Sequence, residues 1–131
     1  MIENGSIQSA HDCSDGGLAV ALAECCFAPL VGKGSPLGAD LQLDAAGLRT
    51  DALLFGETPS RIVLSVSPNA APNVLSLAKE YGVAASEIGY VGGDSLRIRV
   101  DKAPETQIDF SISDLFEKWN NKLEYELTNN I

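Results

Sequence analysis

Ser9-Ala10-His11-Asp12-Cys13-Ser14-Asp15-Gly16-Gly17, running straight into Leu18-Ala19-Val20-Ala21-Leu22-Ala23-Glu24-Cys25-Cys26-Phe27, decides how the chain is read. Small and straight-chain residues dominate the second half, which predicts a helix. It is apolar on nearly every face, so burial on several sides is expected. Ser14 is placed to cap that helix, and Asp15 to sit in its first turn against the positive end of the dipole. Gly16 and Gly17 are poor helix formers. They are expected where another backbone or a ligand comes close.

Beyond this helix, Lys33-Gly34-Ser35-Pro36-Leu37-Gly38 reads as a loop and Ala39-Asp40-Leu41-Gln42-Leu43 alternates like a half-buried strand. Thr50 is placed to cap a short helix that ends at Phe55, before Gly56. Arg61-Ile62-Val63-Leu64-Ser65-Val66, rich in β-branched residues, predicts a central strand. Pro72 belongs in the first turn of a helix to Tyr81, with Gly82 just past its end. Ser86–Val91 and Ser95–Val100 predict a hairpin around Gly92-Gly93-Asp94, with Leu96, Ile98 and Val100 on one face and Arg97 and Arg99 on the other. Ser111 or Ser113 caps a last helix whose Ile112, Leu115, Phe116, Trp119 and Leu123 form a docking stripe, with fraying from Glu124 to Ile131. The expected fold is α/β (or α+β): a mixed four-stranded sheet with helices packed mainly on one face, its strand order left open.

The chain has 131 residues, 45% hydrophobic and 21% charged, which fits one globular domain with a real core. Its net charge of −9, with no basic run, disfavours nucleic acid and anionic membrane surfaces as partners. No secretory signal opens it, and the apolar stretch from Leu18 to Val31 is broken by Glu24 and Pro29, too short to span a bilayer. A cytoplasmic protein is expected. The three cysteines, Cys13, Cys25 and Cys26, match no zinc spacing. They read as reduced structural thiols rather than a Cys13–His11 catalytic pair.

Two segments hold more polar groups than folding needs. In His11–Gly17, a glycine pair at a helix start exposes backbone N–H groups, yet Asp12 and Asp15 flank it. That loop suits a ribose hydroxyl, a base amino group or a Mg²⁺-bound phosphate better than a bare anion. The purely structural alternative has Asp15 capping the helix, Asp12 closing a turn and His11 bonded to main chain. In Glu57–Arg61, Thr58, Ser60 and Arg61 can hold a phosphate, or Arg61 can pair with Glu57 or Asp15. Arg97, Arg99 and Lys102 read as a solvated face. No Walker A loop, nucleophile elbow or dinucleotide fingerprint is present.

The same residues carry a resemblance. Ser9 to Leu18 resembles the His-Asp-x-Ser-Asp-Gly-Gly-Leu segment opening the last domain of the formylglycinamidine ribonucleotide synthases (phosphoribosylformylglycinamidine synthase, FGAM synthase). Leu54-Phe55-Gly56-Glu57-Thr58-Pro59-Ser60-Arg61 is similar to that domain's Phe-x-Glu-x-x-Ser-Arg segment. Ile88-Gly89-Tyr90-Val91-Gly92-Gly93 is similar to its Ile-Gly-x-Val hairpin entry, and the Trp119 helix looks like its closing helix. The resemblance covers essentially the whole chain in order. Within the wider AIR synthase-related superfamily, the intact His-Asp-x-Ser-Asp-Gly-Gly favours this member. The chain's end, Thr128-Asn129-Asn130-Ile131, lacks the terminal cysteine of the hydrogenase maturation factors.

The resemblance implies that residues 1–131 are a single AIR synthase-related C-terminal domain, part of a larger multidomain enzyme. It implies an ATP-dependent amidoligase of purine biosynthesis as the parent, using ammonia from a glutaminase subunit or domain. ATP and Mg²⁺ are implied for the parent, with their main ligands and the catalytic histidine in preceding domains. No catalytic or metal-ligating residue is therefore assigned here, and the domain alone is expected to be inactive. His11, Asp12, Ser14, Asp15, Gly16, Gly17, Glu57, Thr58, Ser60 and Arg61 are expected to face a nucleotide, a substrate or a neighbouring domain. The other reading is a free-standing nucleotide-binding or scaffold module of the same superfamily. An exposed apolar patch would favour the first reading, and it is expected around Gly16, Gly17 and the following helix.

Overall fold

The alternation in Ala39–Leu43 and Ser95–Val100 builds the centre of the molecule. Ala39, Leu41 and Leu43 are buried on one strand and Leu96, Ile98 and Val100 on its neighbour. The computed structural model describes residues 5–103 and 107–129, with backbone only for Gln107 and residues 122–129. In chain order the elements are β1 (Ile7–Asp12), α1 (Gly17–Val31), β2 (Ala39–Leu43), α2 (Thr50–Phe55), β3 (Ile62–Val66), α3 (Ala71–Glu80), β4 (Gly89–Val91), β5 (Ser95–Val100), β6 (Gln107–Ser111) and α4 (Ile112–Asn129). A mixed four-stranded sheet runs β4-β2-β5-β6, with β2 and β5 parallel and the outer strands antiparallel to them.

The inner face of that sheet packs on α1 and α4. Leu18, Ala21, Leu22, Cys26 and Phe27 of α1 share one core with the strands, with Leu53 and Leu54 of α2 and with the fully buried Ile112. Phe27 stacks edge-on to Phe116 with ring centroids 5.7 Å apart and touches Trp119 at 5.6 Å, which pins α4 to α1. The outer face is a polar lattice. Arg97 donates to Asp109 at 3.1 Å, and Arg99 bridges Gln42 and Asp40. Such exposed pairs each contribute at most about 1 kcal/mol and chiefly keep this face wet.

The expected four-stranded sheet is present, but its membership differs. Arg61–Val66 is not a central strand: β3 pairs with β1, a strand the polar run Gln8-Ser9 concealed, in a separate two-stranded ribbon. Its place in the larger sheet is taken by β6. The hairpin is also corrected. β4 and β5 do not pair, because β2 lies between them. Gly92-Gly93 steps across the start of β2, where Gly38 donates to the Gly93 carbonyl at 2.9 Å and accepts from Gly92 at 2.8 Å.

Several ends also differ. Thr50 opens α2 without a side-chain cap; Asp51 serves, accepting from the Ala52 amide at 2.9 Å and from Arg49. The Ala52 amide first, and Arg49 next, hold its carboxyl below the usual carboxylate range. Ser111 caps α4, accepting from Asp114 N–H at 3.5 Å. The helix continues to Asn129, past the expected fraying at Glu124, while Asn130 and Ile131 and the Leu123 side chain lie outside the described residues.

Candidate functional site

Antiparallel pairing sets Asp12 opposite Ile62 and His11 opposite Val63. The chain leaving β1 therefore meets the chain entering β3 at one end of the ribbon. Cys13 extends the pairing, its N–H donating to the Arg61 carbonyl at 3.0 Å. In this way the two polar segments that stand 40 residues apart in the sequence become one surface.

The glycine pair explains how α1 starts there. Gly16 and Gly17 have φ of 78° and 75°, the left-handed region that side chains rarely adopt. A Cβ on Gly17 would lie 2.7 Å from the Phe55 carbonyl carbon, so the expected close approach is to the backbone at the end of α2. The cap expected from Ser14 is overturned, as is Asp15 in the first turn. α1 begins at Gly17 with no side-chain cap on Gly16 and no acid in its first turn. The left-handed turn instead brings Gly16 N–H to Glu57, whose Oε1 accepts it at 3.0 Å. A carboxylate from another loop thus occupies the positive end of α1. Ser14 turns back to Asp12, and its hydroxyl is the largest cause holding that carboxyl below the usual range.

His11 bridges strand and helix. Its Nδ1 lies 2.6 Å from the Asp12 carbonyl and its Nε2 lies 3.3 Å from Glu24 on α1. Glu24 was not among the expected site residues, although it is the one charge in an otherwise apolar helix. Arg61 forms no ion pair with Glu57 or Asp15; its Nη1 donates to the Leu53 carbonyl at 3.3 Å and ties β3 to α2. Asp12, Ser14, Asp15, Glu57, Thr58 and Ser60 are exposed, and Ser60 is held at φ 69°. Acceptors and hydroxyls thus dominate the surface, suiting a ligand's hydroxyl or amino groups. With Glu57 on the α1 terminus, a bare phosphate does not fit there. Among the described residues no three His, Cys, Asp or Glu side chains converge to hold a metal.

Two of the three cysteines are core residues, and Cys25 is half-buried. Cys13 and Cys26 are buried. Burial first, and Cys25 second, push the Cys26 thiol up to about 11. A raised value keeps the neutral thiol through neutral pH, leaving about one thiolate in a thousand at pH 8. Cys26 in the folded chain is therefore expected to react with a maleimide at pH 8 roughly a hundredfold more slowly than in denaturant. Labelling followed by peptide mass spectrometry checks this, and the rate should rise toward pH 10.

The apolar patch is not where it was expected. Gly17, Leu18, Ala19, Ala21 and Leu22 are all buried. Large apolar side chains are exposed instead on β3, with Ile62 at 65% and Leu64 at 41%, and after α3, at Tyr81 and Val83. A separate open cleft of about 710 Å³ lies where the parallel strands β2 and β5 end, lined by Asp44, Arg49, Asp51, Asp101 and Lys102 among others. None of the expected site residues lines it.

Residues 1–101 match the family described as AIR synthase related protein, C-terminal domain. The PurL subunit of phosphoribosylformylglycinamidine synthase from Moorella thermoacetica is 44% identical over 123 residues, 94% of this chain and 16% of that protein. The Thermoanaerobacter sp. counterpart is 38% identical over 130 residues, 99% of this chain and 16% of its own. A solved structure of T. maritima PurL complexed with ATP superposes with a TM-score of 0.69 at 24% identity, over 88% of this chain and 20% of that one. A structure of PurLQS from Thermotoga maritima gives 0.64 at 25% identity, over 83% of this chain and 19% of that one. The chain spans about a sixth of the length of the curated relatives it matches.

Proposed function

We propose, for a chain that belongs to the AIR synthase related family as its C-terminal domain, that it is the closing domain of a phosphoribosylformylglycinamidine synthase. In that role it forms one wall of a nucleotide or substrate site and has no activity alone. The observation carrying this reading is the meeting of the two polar segments through Gly16–Glu57 and Cys13–Arg61. Folding needs the glycine contact and the cap. It does not need Asp12, Ser14, Asp15, Thr58 and Ser60 gathered on the exposed side of the same junction.

The parent is then an ATP-dependent amidoligase of the cytoplasm, partnered by its own preceding domains and by a glutaminase subunit or domain. ATP and Mg²⁺ then serve the parent, with their main ligands in those other domains, as the family resemblance implies. Its acceptors would orient hydroxyl or amino groups of the bound molecule, and its backbone frame would hold them in register.

Two measurements on the native protein test this. An antibody to the domain should detect a polypeptide several-fold heavier than 13.8 kDa. In that polypeptide, Arg61→Ala should release β3 from α2 and raise KM for nucleotide or substrate about tenfold, with a smaller change in kcat. A native band near 13.8 kDa would favour the free-standing module instead. Unchanged kinetics and thermal stability in the variant would remove these loops from the site.

A further inference from the structure

The molecule is unevenly packed. One half, the four-stranded sheet with α1, α2 and α4, holds nearly all the core. In the other half, no residue of β1, β3 or α3 is buried. Two-stranded ribbons are marginal on their own and need a covered face. The inner face of this one has cover: Val63 packs against the core, and His11 reaches Glu24 on α1. Alternation turns Ala10, Ile62 and Leu64 to the opposite face, together with Asp12. All four are exposed. Val74, Leu75, Leu77 and Ala78 of α3 are also only half-covered.

We infer that the outer face of the β1–β3 ribbon is the seat of another domain of the same polypeptide, which presents an apolar stripe to Ile62 and Leu64 and a cation to Asp12. This rests on the proposed function and deepens it, since the face adjoins the candidate site through Asp12 and the docked domain would complete that site.

Three observations favour this occupant. The matched relatives are about six times longer than this chain, so in them the fold has neighbours within one polypeptide. A half of the fold without one buried residue in its elements calls for permanent cover, and permanent interfaces are the more apolar ones. A second copy is disfavoured by charge: it would bring two chains of −9 together and, across a twofold axis on this face, set Asp12 near its own mate.

The test is thiol labelling of the full-length native protein carrying Ile62→Cys or, separately, Leu64→Cys, with Leu48→Cys as an exposed reference at 55%. Peptide mass spectrometry separates each introduced thiol from the native cysteines. Positions 62 and 64 should label roughly tenfold or more slowly than position 48, at a rate independent of protein concentration, and equally fast once denaturant is added. Labelling as fast as the reference would overturn the inference. So would protection that appears only as concentration rises, which would assign the face to a second copy. The size of the native band reports on the proposed function separately, so a heavy band with unprotected thiols sinks the docking face alone.

Discussion

Gly17→Ala is expected to destabilise the folded chain by roughly 2–4 kcal/mol, measured as the shift in urea midpoint at unchanged slope. Two costs add. At φ 75° a Cβ is strained, which costs about 1 kcal/mol. The larger cost is overlap: the new methyl would stand 2.7 Å from the Phe55 carbonyl carbon and 2.9 Å from its Cα. Backbone cannot rotate away as a side chain does, so α1 or the end of α2 has to move. Either movement draws Gly16 from Glu57, so the site should loosen with the fold. Gly47→Ala is the control, for it shares the positive φ at 82° but has open space around it. Equal losses in the two variants would show that strain alone, not the close approach, explains why glycine stands at 17.

The first of the two polar segments was legible in the sequence because of its glycine pair. A glycine pair at a helix start runs against propensity, so something other than the helix had to require it. What could not be read is which group fills the space. Glu57 reaches Gly16 from 41 residues away. That meeting depends on β1 pairing with β3, and Gln8-Ser9-Ala10-His11 carries no apolar alternation to announce β1. The β-branched residues Ile62, Val63 and Val66 marked a strand correctly but not its depth, because such propensity reports fit to a pleated surface and not burial. The turn residues Gly92-Gly93-Asp94 likewise signalled a reversal of the chain. They could not show that β2, more than 45 residues earlier, would insert between the two strands. Helix contents and the alternating strands were local properties and were legible; partners were not.

The docking of α4 is the other point where local pattern and long-range packing agree, and Phe27→Ala tests it. The ring is 5% exposed in the core and contacts both Phe116 and Trp119, so truncation removes transfer free energy and leaves a cavity between α1 and α4. A buried Phe→Ala change costs about 3–5 kcal/mol. About 0.5–1.5 kcal/mol more is at risk for each aromatic pair lost. Trp119 is the only tryptophan in the chain, so its emission reads the local consequence directly. A red shift preceding the main unfolding transition is expected, because α4 holds to α1 largely through this aromatic cluster while Ile112 keeps its first turn buried. If emission and far-ultraviolet circular dichroism instead move together with an unchanged urea slope, α4 unfolds with the sheet as one cooperative unit. In that case β6 and Ile112, rather than Phe27, carry the attachment. A loss below about 1 kcal/mol would mean that the neighbouring rings close the gap, and that the stripe on α4 is far more adaptable than its packing suggests.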